Sequence, residues 1–84
     1  MRVDVRLAEP FWRQVGQREI SLELDQDSMD VSGLLETLGQ HYPSLAQEME
    51  EAPPLVFIDD DEAGPETPLA DGCQVHIVWP IAGG

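Results

Sequence analysis

Leu69-Ala70-Asp71-Gly72-Cys73-Gln74-Val75-His76-Ile77-Val78-Trp79-Pro80 is the stretch that decides the fold. Val75, Ile77 and Trp79 alternate with Gln74, His76 and Val78, which predicts a strand over 73–79. Ala70-Asp71-Gly72 is a turn in front of it, Leu69 is a core anchor before the turn, and Pro80 ends the strand. The opposite end of the chain carries the same alternation. Val3, Val5 and Leu7 alternate with Arg2, Asp4 and Arg6, giving a strand over 2–8. The first and last strands can lie side by side in parallel if a right-handed connection joins them.

The intervening residues supply that connection. Pro10 stops the first strand, and Phe11 to Gly16 reads as a loop or a single helical turn, with Phe11 and Val15 spaced to share a face. Gly16 can take the positive φ that restarts the chain. Ile20, Leu22 and Leu24 alternate with acids and Ser21, a second strand over 18–25, antiparallel to the first. Asp30 is the best N-cap for a helix in which Val31, Leu34, Leu35 and Leu38 form one apolar stripe. Gly33 inside that helix suggests close packing on the sheet. Tyr42-Pro43 ends the helix, and Leu45 and Met49 mark a short second helical segment through about Glu51. Leu55 to Ile58 reads as a buried strand over 55–59. Asp59 to Pro68, with its acids, glycine and two prolines, reads as a solvated loop.

Strand, strand, helix, short helix, strand and final strand compose an α+β fold: a β-grasp (ubiquitin-like) domain with a mixed sheet and one main helix packed on one face. The expected organisation is a single domain over 1–80 and a flexible tail over 81–84. The 84 residues are enough for one domain,, which at this size hides only about 60–65% of the surface of an extended chain. A hydrophobic content of 42% suits a globular chain,. No apolar run approaches the roughly 18 residues of a membrane span, and the start has no signal-peptide pattern. With one cysteine, Cys73, no internal disulfide can form,. The expected location is cytoplasmic.

Charge is unusual. Seventeen acids face four arginines, for a net charge of −13, and there is no lysine. Arg2, Arg6, Arg13 and Arg18 all precede Glu19, and no Lys or Arg follows. Such a chain repels phosphate backbones and anionic lipid, so neither nucleic acid nor membrane is an expected partner. It suits a basic protein partner; it equally suits an acidic surface kept for solubility or a salty cytoplasm.

The strongest chemical signal is the end, Pro80-Ile81-Ala82-Gly83-Gly84. Two terminal glycines arise by chance roughly once in 200 chains. A segment without Cβ atoms can thread a narrow slot and present a carboxylate inside another protein. ATP can adenylate such a carboxylate, and a sulfur nucleophile can attack the adenylate. A frayed terminus is the plain alternative.

Over nearly its whole length the sequence resembles the MoaD/ThiS family of ubiquitin-like sulfur carriers. The resemblance rests on the β-grasp pattern, on Val31 to Leu38 followed by His41-Tyr42-Pro43-Ser44-Leu45, on Leu69-Ala70-Asp71-Gly72, and on Trp79-Pro80-Ile81-Ala82-Gly83-Gly84. The short-helix segment and the length look more like MoaD. The resemblance implies that Gly84 carries the reactive carboxylate and that Gly83, Ala82, Ile81 and Pro80 bind the partner. It implies activation by a ubiquitin-activating-type adenylyltransferase (MoeB/ThiF-like), which uses ATP and Mg²⁺; no cofactor is bound permanently. A cysteine desulfurase or rhodanese would supply sulfur. The tail would enter the large subunit of molybdopterin synthase (MoaE-like), where the thiocarboxylate donates sulfur to a pyranopterin precursor. Departures from the pattern are Cys73-Gln74, where acids are common, and Trp79, where a smaller apolar residue or proline is common.

Two other readings stand beside it: a carrier for thiamine, cysteine or other sulfur metabolites or a protein modifier, and a ubiquitin-like binding module that works through a sheet face. Cys73 reads as a packed structural residue. His41 and His76 lack metal-ligand spacing, and no metal is expected. Asp59-Asp60-Asp61-Glu62 reads as a solvated acidic run. Phe11, Trp12, Trp79 and Leu55 are candidates for an exposed apolar patch, Trp12 foremost. No nucleophile–base pair or cofactor loop of a stand-alone enzyme is visible.

Overall fold

The computed structural model describes residues 1–9 and 11–79. Its elements are β1 (Arg2–Leu7), α1 (Phe11–Val15), β2 (Glu19–Glu23), α2 (Val31–His41), α3 (Pro43–Glu51), β3 (Leu55–Ile58), β4 (Asp61–Ala63) and β5 (Gln74–Val78). The five strands form one sheet in the order β2-β1-β5-β3-β4. β1 and β5 pair in parallel at its centre, with Leu7 opposite Ile77. The other pairings are antiparallel. This mixed sheet with helices is the ubiquitin-like β-grasp architecture.

Val3, Val5 and Leu7 of β1, Val75 and Ile77 of β5 and Val56 of β3 all point inward and are buried. Val31, Leu34 and Leu38 of α2 cover them, and Leu45 of α3 and Phe11 of α1 complete the core. Three helices therefore build the covering layer, with α2 the longest. Phe11 to Val15 is a helix, one of the two forms its spacing allowed. Leu69 and Cys73 are buried as anchors on either side of the Gly72 turn, where φ is +81°. Gly16 has φ +86°. Among the described residues no polar side chain is buried.

The start of α2 shows how its first amides are satisfied. The Asp30 carboxylate accepts from the Gly33 N–H at 2.8 Å. The Val31 and Ser32 N–H groups donate to the carbonyls of Thr67 and Pro65, at 3.0 and 2.9 Å. The segment after β4 thus crosses the helix start and supplies two of the acceptors a helix N-terminus lacks.

The structure departs from the sequence reading at three places. The acidic stretch 59–68 is not all loop: Asp61–Ala63 form β4 against β3. Asp59 and Asp60 have φ of 48° and 76°. Positive φ at both central residues suits the right-handed twist of a tight hairpin, and aspartate tolerates that region better than most residues. The run 55–58 is not buried throughout, since only Val56 is buried and Leu55 is 41% exposed. Gly33 does not approach the sheet: a Cβ there would meet Met29 Cγ at 3.0 Å and Asp30 Oδ1 at 3.3 Å. The close approach is at Gly39, whose added Cβ would lie 2.9 Å from the Cβ of Ala46 on α3.

Candidate functional site

Because β1 and β5 run in parallel, both end at the same side of the molecule. The Ala8 N–H donates to the Ile77 carbonyl at 3.0 Å, which carries the central ladder to that side. Trp79 follows there. Its ring lies on Phe11, with centroids 5.4 Å apart and planes tilted by 46°. Phe11 is fully buried, so it belongs to the core and not to an exposed patch. It holds the last described residue through a tilted aromatic contact,. Gly84, Gly83, Ala82, Ile81 and Pro80 lie outside the described residues, as does the expected tail 81–84.

The sheet face opposite the helices is the surface beside this exit. Side chains directly opposite each other on paired strands share a face. Leu55 faces Val78, and Phe57 faces His76. Val56, Val75 and Ile77 point into the core, so Leu55, Phe57, His76 and Val78 point outward. Leu55 is the one large apolar residue exposed among the described residues, while Phe57 and Val78 are half-buried. The apolar patch is thus Leu55–Phe57–Val78, at the end of the sheet where β5 leaves it. The sequence reading found Leu55 but not its two companions. All four residues of Leu55–Ile58 are apolar, so the sequence itself does not mark which of them face outward; only the covering of a single sheet face by the helices does.

The part of the same face formed by β1 and β2 is polar. Arg6 pairs with Glu19 at 2.9 Å and Arg2 approaches Asp4 at 3.6 Å. The Ser21 hydroxyl donates to the Asp4 carboxylate at 2.8 Å. All these groups are substantially exposed, so each pair adds little stability; the outer face is charged across β1 and β2 and apolar where Leu55, Phe57 and Val78 lie.

Trp12 is half-buried beside the end of β1. The guanidinium groups of Arg18 and Arg13 lie 4.8 and 5.6 Å from its ring centre. Such cation–π contacts cover an indole that would otherwise offer an apolar surface. Cys73 is buried and free of any disulfide, consistent with a packed residue. His41 and His76 are exposed. Among the described residues no three His, Cys, Asp or Glu side chains cluster as metal ligands, and no helix is long and apolar enough to cross a membrane.

A β-grasp domain whose last strand is central, and whose exit is flanked by an apolar sheet face, defines a ubiquitin-like protein. The profile of the ThiS family matches residues 10–84, and the chain belongs to that family of ubiquitin-like sulfur carriers and modifiers. No curated protein matches the chain. Among solved structures it is similar to the Haloferax volcanii HVO 2177 protein, at 29% identity and a TM-score of 0.82, with 100% of this chain and 87% of that one covered. It is similar to the small archaeal modifier protein 1 from Methanosarcina acetivorans, at 23% identity and 0.78, covering 99% and 96%. It also matches a chain in the complex of subunits 1 and 2 of the molybdopterin-converting factor from Helicobacter pylori, at 22% and 0.67, covering 100% of each. The last two likenesses speak for the fold.

Proposed function

We propose that the chain is a sulfur carrier that works at its Gly84 carboxylate, as the small subunit of a molybdopterin synthase. The observation that carries the reading is the extent of the family match, which runs through Gly83 and Gly84. The Helicobacter pylori likeness supports the choice of a subunit 2-type, MoaE-like partner. The Leu55–Phe57–Val78 patch, beside the strand that leads to the tail, suits docking of that partner and of the activating enzyme in turn.

In this reading a carboxylate oxygen of Gly84 attacks the α-phosphorus of ATP, with Mg²⁺, on a MoeB/ThiF-like adenylyltransferase, and pyrophosphate leaves. The terminal sulfur of a persulfide, generated by a cysteine desulfurase or rhodanese, attacks the acyl carbon. AMP leaves and an acyl disulfide forms. A second thiol attacks the sulfur nearer the donor protein, giving a protein disulfide and the thiocarboxylate at Gly84. Pro80, Ile81, Ala82 and Gly83 present that group in the large subunit. The chain contributes a chain end and a docking face; acid, base and metal chemistry reside in the partners.

Incubation with the cognate activating enzyme, ATP and a sulfur donor should give the mass gain of sulfur replacing oxygen, localised to Gly84. No gain with an enzyme of verified activity refutes the carrier reading. The modifier reading has a specific support in the likeness to a small archaeal modifier protein. Recovery of Gly84 in an isopeptide bond to other proteins, with no binding to a molybdopterin synthase large subunit, would favour it.

A further inference from the structure

We infer that this chain is built to give its activated acyl group away and never to receive one, so that two copies do not become covalently linked. The inference rests on the proposed activation at Gly84, and it applies to sulfur transfer and protein modification alike. An acyl adenylate or thioester is captured by an amine when nitrogen attacks the carbonyl carbon. The C–N bond forms, AMP or a thiolate leaves with the bonding pair, and the ammonium proton goes to solvent. A surface lysine is the ordinary acceptor, and none occurs among the 84 residues. All four cationic side chains are arginine, whose guanidinium stays protonated and offers no nucleophilic lone pair.

Of the two remaining nucleophiles of note, Cys73 is buried and the Met1 ammonium is tethered. Cys73 is 5% exposed, inside the core beneath the Gly72 turn, so thioester exchange onto it is blocked in the folded chain. The Met1 ammonium donates to the Leu24 carbonyl at 2.9 Å in a half-buried setting. It also lies at the wrong end of the sheet for its own chain terminus. Leu7 stands opposite Ile77 in the parallel pair. Met1 is therefore about eight residue steps, or ~26 Å along the strand direction, from the level of Trp79. The five residues after Trp79 span at most ~18 Å even when fully extended. Head-to-tail closure within one copy is out of reach.

The test uses the 84-residue chain bearing an aryl thioester at Gly84, made chemically so that no activating enzyme is needed. It is compared with the thioester of a Gln17→Lys/Gln47→Lys variant, which places amines at two exposed positions. Both are held at millimolar concentration and mildly alkaline pH, and covalent species are read by intact mass and denaturing gel. The lysine variant should form at least about tenfold more covalent dimer than the parent, whose product is the hydrolysed monomer. Equal dimer yields in the two, whether high or absent, overturn the inference. So does a parent dimer linked at Met1 or Cys73. The carrier reading is tested separately, by enzymatic thiocarboxylate formation at Gly84, so the two failures are distinguishable.

Discussion

Replacing Leu55 should weaken partner binding without unfolding the domain. Leu55 is 41% exposed on the outer sheet face and stands opposite Val78. Full burial of a leucine side chain is worth about 1.5–3 kcal/mol. The exposed share that a partner could still cover is then about 0.6–1.2 kcal/mol. Alanine keeps one of the four side-chain carbons, so Leu55→Ala should lose about 0.5–0.9 kcal/mol, a two- to fivefold rise in Kd at about 0.59 kcal/mol per RT. Leu55→Asp should exceed tenfold, since it also sets an unpaired carboxylate in a desolvated contact. Titration calorimetry with the cognate molybdopterin synthase large subunit measures both. Thermal unfolding of the free variants checks that the fold survives; a surface strand substitution should cost about 1 kcal/mol or less. If both variants bind within twofold of a parent that itself binds, the outer face around Leu55 is not the docking surface.

Deleting Gly83-Gly84 should abolish thiocarboxylate formation in the activating assay, while binding to the large subunit through the sheet face persists at reduced affinity; full biological activity of the truncated chain would support the binding-module reading instead. Asp30→Ala removes the side-chain acceptor of the Gly33 N–H and should cost about 0.5–2 kcal/mol in chemical denaturation. Gly39→Ala gains about 1 kcal/mol of helix propensity but forces its Cβ to within 2.9 Å of the Ala46 Cβ, which is fixed to the α3 backbone,. Overpacking of this kind costs about 1–3 kcal/mol, so the variant should be no more stable than the parent. Pairing it with Ala46→Gly should recover the packing part of that loss in a double-mutant cycle.

The fold was legible because its central strands advertise themselves. In 2–8 and 74–79 the inward residues are aliphatic or aromatic and most outward ones polar, so period and face could be read together. The Asp30 cap and the Tyr42-Pro43 break were equally local, and both stand where expected. β4 was not legible. Its three residues are Asp-Glu-Ala, with two acids exposed, and its pairing is fixed by a turn of two aspartates, not by strand propensity. Acids on such an edge strand discourage pairing with another chain, so the features that hid the strand are those that suit it to an edge. Gly39 was missed for a different reason. Its role depends on how closely α3 returns across α2, a distance set by the turn at Tyr42 and by no pattern within either helix. The outer apolar patch was not legible for a third reason: Leu55–Ile58 is apolar throughout, so its composition reads as a buried strand although Leu55 and Phe57 face outward.

Placing the last strand beside the first, in parallel, has a functional consequence that an antiparallel arrangement would not share. It puts the end of β5 and the end of β1 on one side, and the chain start on the other. α1 begins just after β1 on that side, so Phe11 can be buried in the core and still meet Trp79. Trp79, the last described residue, is therefore tied to the core. The outer face is charged across β1 and β2, where Arg2, Asp4, Arg6 and Glu19 lie, and apolar where Leu55 faces Val78 beside the end of β5. In the proposed reading, a partner that buries the apolar patch would thereby meet the chain at Trp79, from which five further residues lead to Gly84. In the proposed carrier reading, exchange between an activating enzyme and a synthase would need no change in the domain, only competition for one face, because both would engage the same chain end.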